Sequence, residues 1–234
     1  MITTVGVVVP AADEQDLIGG CLRALDRARE HLVRRRPLVS TRVVVVLDAC
    51  RDDTAGVVGR HPGTESLALS SRCVGVARAA GVAHLLRTAA ARSGDVWLAS
   101  TDADSQVPVD WLSGMLELAE RGAQLVLGTV LPGPELQPAQ ARTWLSQHVL
   151  REDHPHIHGA NLGIRADAYG ALGGWPALTT GEDVALVRRA VSTGHLQIVR
   201  TAAYPVRTSA RPTGRAPRGF SSYLRDLERQ RAAV

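Results

Sequence analysis

Short apolar runs alternate along the chain with longer segments in which apolar residues recur at near-helical spacing. Residues 3–9 and Val43–Leu47 are rich in β-branched residues, which predicts two buried strands. Between them, the apolar spacing from Leu17 to Val33 predicts a helix. The elements predicted downstream are helix Thr54–Arg60, strand Glu65–Leu69, helix Val74–Arg92, strand Asp95–Ser100, helix Trp111–Arg121, strand Gln124–Thr129, helix Gln140–Leu150, helix Val184–Val191, one or two strands in Leu196–Val206, and a terminal helix Ser221–Arg231.

This alternation indicates an α/β fold in which helices flank a mostly parallel central sheet. In such sheets, ligands bind at the carboxyl ends of the strands. The segment 131–138 is rich in Pro and Gly, which predicts a loop and marks a change of character. We predict one domain over residues 1–206, in two parts (1–130 and 131–206), followed by a basic loop and a helix in residues 207–234.

The composition narrows the class of protein. A chain of 234 residues with 45% hydrophobic and 21% charged residues is typical of one globular domain. Three cysteines without CxxC spacing argue against a disulfide framework or a cysteine zinc site. No window offers the roughly 20 apolar residues of a membrane span. The N-terminal run also lacks the pattern of a secretory signal, so we expect a cytoplasmic protein.

The charge pattern bears on the partners. All 27 basic residues are arginine, the net charge is +4, and aromatic residues make up only 3%. Nucleic-acid surfaces that stack bases interleave aromatic and basic residues, and this pattern is missing. The basic balance suits phosphate-bearing small ligands or transient contact with an anionic membrane surface. Arg34–Arg36 is either a solvated helix end or a small membrane patch.

Two carboxylates follow one apolar strand directly. Asp102 and Asp104 stand two residues apart after Val96–Ala99. On a turn at the end of a strand they can converge on one cation, and hard oxygen ligands suit Mg²⁺ or Mn²⁺. Such a cation can bridge a diphosphate. The alternative is a solvated acidic turn or a helix cap before Pro108.

Acidic residues also follow the first two predicted strands. Asp13 and Glu14 come after the first, and Asp48, Asp52 and Asp53 come after the second. Carboxylates at successive strand ends line one rim of a sheet, where they can accept hydrogen bonds from a ribose or a base. Helix capping is an equal alternative for Asp13 and Asp53. Asp48 fits capping less well because it abuts an apolar run.

A third acidic pair opens the helix Val184–Val191. Glu182 and Asp183 stand where the helix dipole stabilises carboxylates, and Thr179 or Thr180 can cap the helix. Two interpretations are balanced here. The pair is a well-made helix cap, or Asp183 is a general base that deprotonates a hydroxyl.

Segments carrying these residues resemble the family-2 glycosyltransferases, which have the A-type nucleotide-sugar-binding fold. The segments are VVVPAADEQDLI, VVVVLDACRDDTA, GVARAAGVAHLL, WLASTDADSQVPVDWL, HGANLGIRADAYGALGGW and GEDVAL, and they span residues 7–186. Each segment alone is weak, whereas the ordered set is specific. The resemblance makes residues 1–130 the nucleotide-binding part and residues 131–206 the acceptor part.

The resemblance also implies residue roles. The nucleotide pocket would be lined by Pro10, Ala11 and Glu14, Asp48 would meet the base or ribose, and Arg78 would face the nucleotide. The metal, Mn²⁺ or Mg²⁺, would be held at the donor by Asp102 and Asp104. The sugar and acceptor region would include Gly159, Ala160, Asn161 and Glu182, and Asp183 would be the catalytic base of an inverting reaction. The sequence departs from the family at Asp13, where Asn is usual. Some relatives also have a late metal-binding His; here Arg207-Thr208 occupies that zone and only His195 follows the GEDVAL segment.

Other residues keep open interpretations. Arg211 and Arg215 lie in a basic segment that either closes over the diphosphate or forms a basic tail. Trp175 either stacks on a sugar or packs in the core. The alternating His154, His156 and His158 are candidates for acceptor contacts, ordinary loop positions or a transition-metal site.

The sequence thus predicts a metal-dependent transferase that moves a sugar from a nucleotide-diphosphate donor to a small or lipid-like acceptor. A nucleotidyltransferase on a related fold would need a Gly-rich basic loop after the first strand, which residues 10–16 lack. A non-catalytic nucleotide-sugar-binding module is the other alternative, and the intact acidic pairs argue against it. An oxidoreductase is disfavoured because no GxGxxG follows the first strand.

Overall fold

A sheet of eight strands runs through the computed structural model, which describes residues 1–88 and 91–211. The strands are β1 (Thr4–Ala11), β2 (Ser40–Asp48), β3 (Thr64–Leu69), β4 (Val96–Ser100), β5 (Ser105–Gln106), β6 (Leu125–Pro132), β7 (Leu162–Arg165) and β8 (Ile198–Thr208). The helices are α1 (Ile18–Arg35), α2 (Thr54–Gly59), α3 (Val74–Thr88), α4 (Trp111–Glu120), α5 (Pro138–Gln147), α6 (Ala166–Ala171) and α7 (Glu182–Thr193).

The strand order is β3-β2-β1-β4-β7-β6-β8-β5. Strands β3, β2, β1 and β4 are parallel, as the sequence predicts. Strand β7, which the sequence pattern does not predict, runs antiparallel to both β4 and β6. The carboxyl ends of β1, β2 and β4 therefore lie at one edge of the sheet, where the acidic segments follow them.

Helices cover both faces of the sheet. Val5, Val7 and Val9 of β1 pack in one core cluster with α1 and α4, whereas Val8 packs in a second cluster with α3 and α7. This division follows from the alternation of side chains across a strand. Helix α3 lies very close to β1, and Gly81 permits this approach: a Cβ at that position would lie 2.5 Å from the Val8 side chain. The close approach brings Arg78 of α3 to the strand ends.

The predicted side-chain caps are not formed, which corrects one of the two interpretations of these residues. Leu17, not Asp13, is the N-cap residue of α1. Asp53 stands at the N-cap of α2, but its side chain makes no capping hydrogen bond. Gly181, with a φ of 74°, is the N-cap residue of α7, so neither predicted threonine caps that helix. The Asp13 carboxylate instead accepts from the Arg51 N–H in the next loop, and Asp53 pairs with Arg60 at the far end of α2.

The basic segments differ in where they lie. Arg35 and Arg36 pair with Glu117 and Glu120 of α4, at 3.0 and 2.9 Å, which favours the helix-end interpretation over a membrane patch. No helix within the described residues is long and apolar enough to cross a membrane. Strand β8 extends beyond its predicted end to Thr208. Arg215 and the predicted helix Ser221–Arg231 lie outside the described residues.

Candidate active site

A cleft of about 1390 Å³ opens where β1, β2 and β4 end. The loops after these strands line it together with residues 157–160, the start of α7 and the end of β8. The sequence-predicted residues that line the cleft are Pro10, Ala11, Glu14, Asp48, Arg78, Asp102, Asp104, Gly159, Ala160, Glu182, Asp183 and Arg211. Asn161 and Trp175 are not among its lining residues.

Strained backbone concentrates in this cleft. Asp13, Ala49 and Arg72 have φ values of 53°, 57° and 51°, and all three line the cleft. The left-handed region costs a non-glycine residue about 1–3 kcal/mol, so surrounding bonds must hold it. The backbone N–H of Arg51 donates to Asp13 at 2.6 Å, and the N–H of Ala49 donates to Leu69 O at 2.8 Å. Such strain is typical of functional loops.

Asp48 holds the loop that precedes α3. Its Oδ1 accepts from the N–H groups of Ser71 and Arg72, at 2.7 and 2.9 Å. Its Oδ2 accepts from the Ser71 hydroxyl at 2.8 Å and from the Cys73 N–H at 2.9 Å. Burial alone would raise the pKa of Asp48, but these hydrogen bonds outweigh it and lower the pKa. Asp48 therefore anchors this loop and also lines the cleft, and its contact with a base or ribose stays a prediction.

The acidic pair after β4 is held by two arginines. Asp102 accepts from Arg78 Nη2 at 2.5 Å, and Asp104 Oδ2 lies 3.1 Å from Arg211 Nη2. Asp104 Oδ1 also accepts from the Thr208 hydroxyl at 3.3 Å. Burial, and then the charge of Asp102, raise the pKa of the Asp104 carboxyl. The carboxylates of Asp102 and Asp104 thus repel each other, and a cation bound between them would relieve this repulsion.

The donor chemistry of this pair fits a divalent metal. Both groups are hard oxygen ligands, and Mg²⁺ is commonly held by one or two carboxylates together with substrate phosphates. Within residues 1–88 and 91–211, no group of three or more His, Cys, Asp or Glu side chains is arranged to hold a metal ion. The described part of the chain therefore offers Asp102 and Asp104 but no preformed third ligand.

Arg211 bridges the first and fourth strand ends. Its guanidinium makes a bidentate pair with Glu14, at 2.6 and 2.5 Å, and also contacts Asp104. Glu14 is only 6% exposed, so its charge is largely shielded from water. Arg211, the residue that the sequence predicts to contact a diphosphate, thus neutralises the charges of Glu14 and Asp104.

Arg78 is a buried centre that connects four parts of the cleft. Only 2% exposed, it donates to Ser100 Oγ, to Gly159 O at 3.1 Å, to Asp102, and to Glu182 at 3.2 Å. In this structure the guanidinium of Arg78 makes its contacts within the protein, and its contact with the nucleotide stays a prediction. Burial raises the pKa of Glu182 even though Arg78 lowers it. Glu182 pairs with Arg78 and lines the cleft, and its acceptor contact stays a prediction.

Asp183 is positioned by a backbone contact across the cleft. Its Oδ2 accepts from the N–H of Gly159 at 2.8 Å, and its Oδ1 accepts from the N–H of Val184 at 2.8 Å. A Cβ at position 159 would lie 2.7 Å from Arg78 Nη2, so any larger residue would displace the Arg78 guanidinium. Arg78 and Asp183 therefore both contact the turn at Gly159, which holds the Asp183 carboxylate in the wall of the cleft.

Asn161 and Trp175 are buried and do not line the cleft, which for Trp175 favours the core-packing interpretation over stacking on a sugar. Asn161 is 1% exposed; it accepts from the Trp111 indole at 2.8 Å and donates to the carbonyl of Thr129 at 2.8 Å. Trp175 is 7% exposed, and its ring lies 5.3 Å from Arg78 Cζ. That distance is within the range of a cation–π contact. Both residues support the site from the core.

Several residues in or beside the cleft have no clear signal in the sequence. Ser71 and Arg72 shape the loop before α3, and Thr208 contacts Asp104 from 104 residues away. His148 lines the cleft with His158, whereas His154 and His156 do not. The alternating His154, His156 and His158 were the only signal for this wall of the cleft. His148, which follows directly after α5, is not part of that alternation.

Comparisons with known proteins agree with this geometry. The model of glycosyl transferase family 2 matches residues 6–172. No curated protein matches the chain at a significant level. Among solved structures, S. aureus TarS is similar with a TM-score of 0.66 at 15% identity, over 89% of this chain and 37% of TarS. A TarS fragment has a TM-score of 0.62 at 13% identity, over 89% of this chain and 61% of the fragment.

A further similar structure is M. tuberculosis glucosyl-3-phosphoglycerate synthase, with a TM-score of 0.55 at 20% identity, over 99% of this chain and 78% of that protein. At these identities the structures show the fold alone, and it is the predicted A-type fold. The chain spans 61% and 37% of the lengths of the two TarS structures. Because the family model covers most of the chain, including β1, β4 and the turn at Gly159, the chain belongs to glycosyl transferase family 2.

Proposed function

We propose that the protein transfers a sugar from a nucleoside-diphosphate donor to an acceptor hydroxyl, with inversion at the anomeric carbon and with a divalent metal. One observation carries the proposal. The carboxylate of Asp183, oriented by the Gly159 N–H at 2.8 Å, faces the same cleft as the acidic pair Asp102 and Asp104. A base and a site for the leaving diphosphate are thus present in one cavity.

The reaction that fits this cleft is a single displacement. The acceptor oxygen attacks the anomeric carbon while its proton passes to Asp183, which acts as general base. The bond from the anomeric carbon to the diphosphate breaks, and its electron pair leaves with the nucleoside diphosphate. Glu182, the neighbouring carboxylate, is already paired with Arg78 at 3.2 Å. One available carboxylate on this side supports direct displacement over a covalent glycosyl-enzyme intermediate.

Asp102 and Asp104 would hold the metal. A divalent cation bound there would neutralise charge on the departing diphosphate. One neighbour in the fold comparison, M. tuberculosis glucosyl-3-phosphoglycerate synthase, was crystallised with Mn²⁺, UDP and phosphoglyceric acid. That precedent supports including Mn²⁺ and UDP among the first ligands to test.

Nucleotide binding provides the first test. The melting temperature would be measured with UDP, GDP, dTDP and CMP, each with and without Mn²⁺. We expect stabilisation by one nucleoside diphosphate that depends on Mn²⁺, and we expect Asp104→Asn to lose it. The control is Asp16→Asn, which changes an exposed carboxylate outside the cleft. No stabilisation by any nucleotide would count against the donor site, and binding without transfer of any sugar would favour the non-catalytic module.

Arg211 gives a second prediction. It offsets the charges of Glu14 and Asp104, so it competes with any cation that approaches Asp104. We expect Arg211→Ala to bind Mn²⁺ about tenfold more tightly without nucleotide, a change of about 1.4 kcal/mol. The same variant should bind the nucleoside diphosphate more weakly, because Arg suits bidentate contact with phosphate.

The control for this prediction is Arg188→Ala. Arg188 also lines the cleft, but it forms no ion pair with any described residue. Isothermal titration with Mn²⁺ alone would compare the two variants. Equal effects of both substitutions would mean that Arg211 acts only through the general charge of the cleft, not by competing at Asp104.

A further inference from the structure

A stack of parallel rings forms one wall of the cleft. The ring centroids of Trp144 and His148 lie 3.9 Å apart, with an angle of 11° between the planes. His148 stacks on His156 at 5.1 Å, and His156 stacks on His158 at 5.8 Å. We call these four residues the imidazole stack. His148 and His158 line the cleft, whereas Trp144 and His156 do not.

The inner rings of the stack are fixed by hydrogen bonds. His156 Nε2 accepts from the backbone N–H of Val149 at 3.0 Å. His148 Nδ1 lies 2.8 Å from the carbonyl oxygen of Trp144 and must donate to it, because a carbonyl only accepts. Arg200 donates to two backbone carbonyls of the segment 154–156, at 3.1 Å each. The stack is therefore a preorganised surface rather than a loose loop.

His158 differs from the inner rings. Within the described ranges 1–88 and 91–211, no group hydrogen-bonds to its imidazole, although the ring is half-buried in the cleft wall. Burial, and then the neighbouring imidazoles, lower the pKa of His158 to about 3. A neutral imidazole offers one N–H donor and one nitrogen acceptor. His158 thus presents hydrogen-bonding capacity that the described protein groups do not use.

The surroundings of His158 indicate which ligand would use it. The next residue, Gly159, donates to Asp183, so His158 adjoins the turn that orients the proposed base. Ile157, Val130 and Leu178 add apolar surface to the same cleft. Neutral imidazoles beside a carboxylate do not attract an anion, whereas hydroxyl groups can both donate and accept.

We propose that His158, backed by the imidazole stack, hydrogen-bonds a hydroxyl of an uncharged sugar or polyol acceptor beside Asp183. This inference rests on the proposed function, since it assigns the acceptor side of that site. The stack holds the ring edge in place, and the apolar residues receive the C–H surface of the acceptor.

Nuclear magnetic resonance of protein labelled at its histidine rings tests the proposal without any enzymatic reaction. The neutral probes are methyl α-D-glucopyranoside and glycerol, and the anionic probe is glucose 6-phosphate. We expect a neutral probe to shift the imidazole signals of His158 and to leave those of the exposed His195 unchanged. A shift of His158 with the phosphate probe alone would overturn the assigned class, and no shift with any probe would overturn the site.

Two substitutions separate hydrogen bonding from packing. His158→Phe keeps a stacked ring but removes both ring nitrogens. His158→Ala removes the whole ring, and with it both the stacking and the nitrogens. We expect His158→Phe to raise the KM for a neutral acceptor about tenfold, the loss of one hydrogen bond, with kcat unchanged. The matched control is His195→Phe, which should keep the normal KM. An unchanged KM in His158→Phe would show that the ring only packs.

The two proposals fail in different ways. If the acceptor assignment alone is wrong, a nucleotide with Mn²⁺ still stabilises the protein, while neutral sugars leave the His158 signals unmoved. If the transferase function is wrong, either no nucleotide stabilises the protein or a nucleotide binds and no sugar is transferred, whatever the sugars do to His158. The thermal measurement and the resonance measurement therefore test the two statements independently.

Discussion

Replacing Asp183 with asparagine is expected to lower the rate of sugar transfer by about 10²- to 10⁴-fold, the usual contribution of a general base. Asparagine keeps the size of the side chain. Its amide oxygen can still accept the hydrogen bond from the Gly159 N–H, which Asp183 accepts at 2.8 Å. It cannot take up the proton of the acceptor hydroxyl. Donor binding should be unchanged, because the proposed role of Asp183 is to take the acceptor's proton and not to hold the donor.

This substitution also decides between the two interpretations that the sequence leaves balanced. In the first turn of α7, asparagine loses only the favourable interaction of the charge with the helix dipole, about 0.3–1 kcal/mol. If Asp183 only supported the start of α7, Asp183→Asn would transfer sugar at nearly the normal rate. The measurements are the single-turnover rate, the melting temperature and the affinity for the donor nucleotide. Asp16→Asn, at an exposed position, serves as the matched control.

Replacing Arg78 with methionine is expected to lower the free energy of unfolding by about 3–5 kcal/mol, because it leaves buried charge without a partner. Arg78 is 2% exposed and pairs with Glu182, which is 5% exposed, and with Asp102. Methionine fills most of the space but donates no hydrogen bond. Urea denaturation measures the change, and an unaltered m-value would show that the same two states are compared.

Two further variants sharpen the Arg78 test. Arg188→Met removes an exposed arginine of the same cleft and should change stability by no more than about 0.5 kcal/mol. The double variant Arg78→Met/Glu182→Leu should recover part of the loss, since it removes one of the two unpaired carboxylates. A loss below about 1 kcal/mol in Arg78→Met would mean that water reaches these carboxylates and that the centre is less rigid than described.

Much of the fold follows from local pattern. The β-branched runs became β1 and β2, and the near-helical spacing from Leu17 to Val33 became α1. Period-2 and period-3.6 patterns act through neighbours in sequence, so they can be recognised without the rest of the chain. Strand β7 was not predicted, because its four residues are too few to show a period of two.

The cleft itself was also predictable, since acidic segments after parallel strands must meet at one edge of the sheet. Asp102, Asp104 and Asp183 do line one cavity. The partners of these carboxylates were not predictable. Arg78 meets Glu182 across 104 residues, and Arg211 meets Glu14 across 197 residues. No local spacing encodes such contacts, because they depend on which loops the packed helices bring together.

By itself, therefore, the sequence determined the order of the strands and helices apart from β5, β7 and α6, the parallel half of the sheet, and the set of acidic residues at its edge. Only the tertiary structure decided what each one does. Asp48 anchors a loop because four donors of residues 71–73 surround it, and Asn161 braces the core because three partners fill its amide. The role of a polar side chain depends on the groups around it, and folding brings those groups from distant parts of the chain.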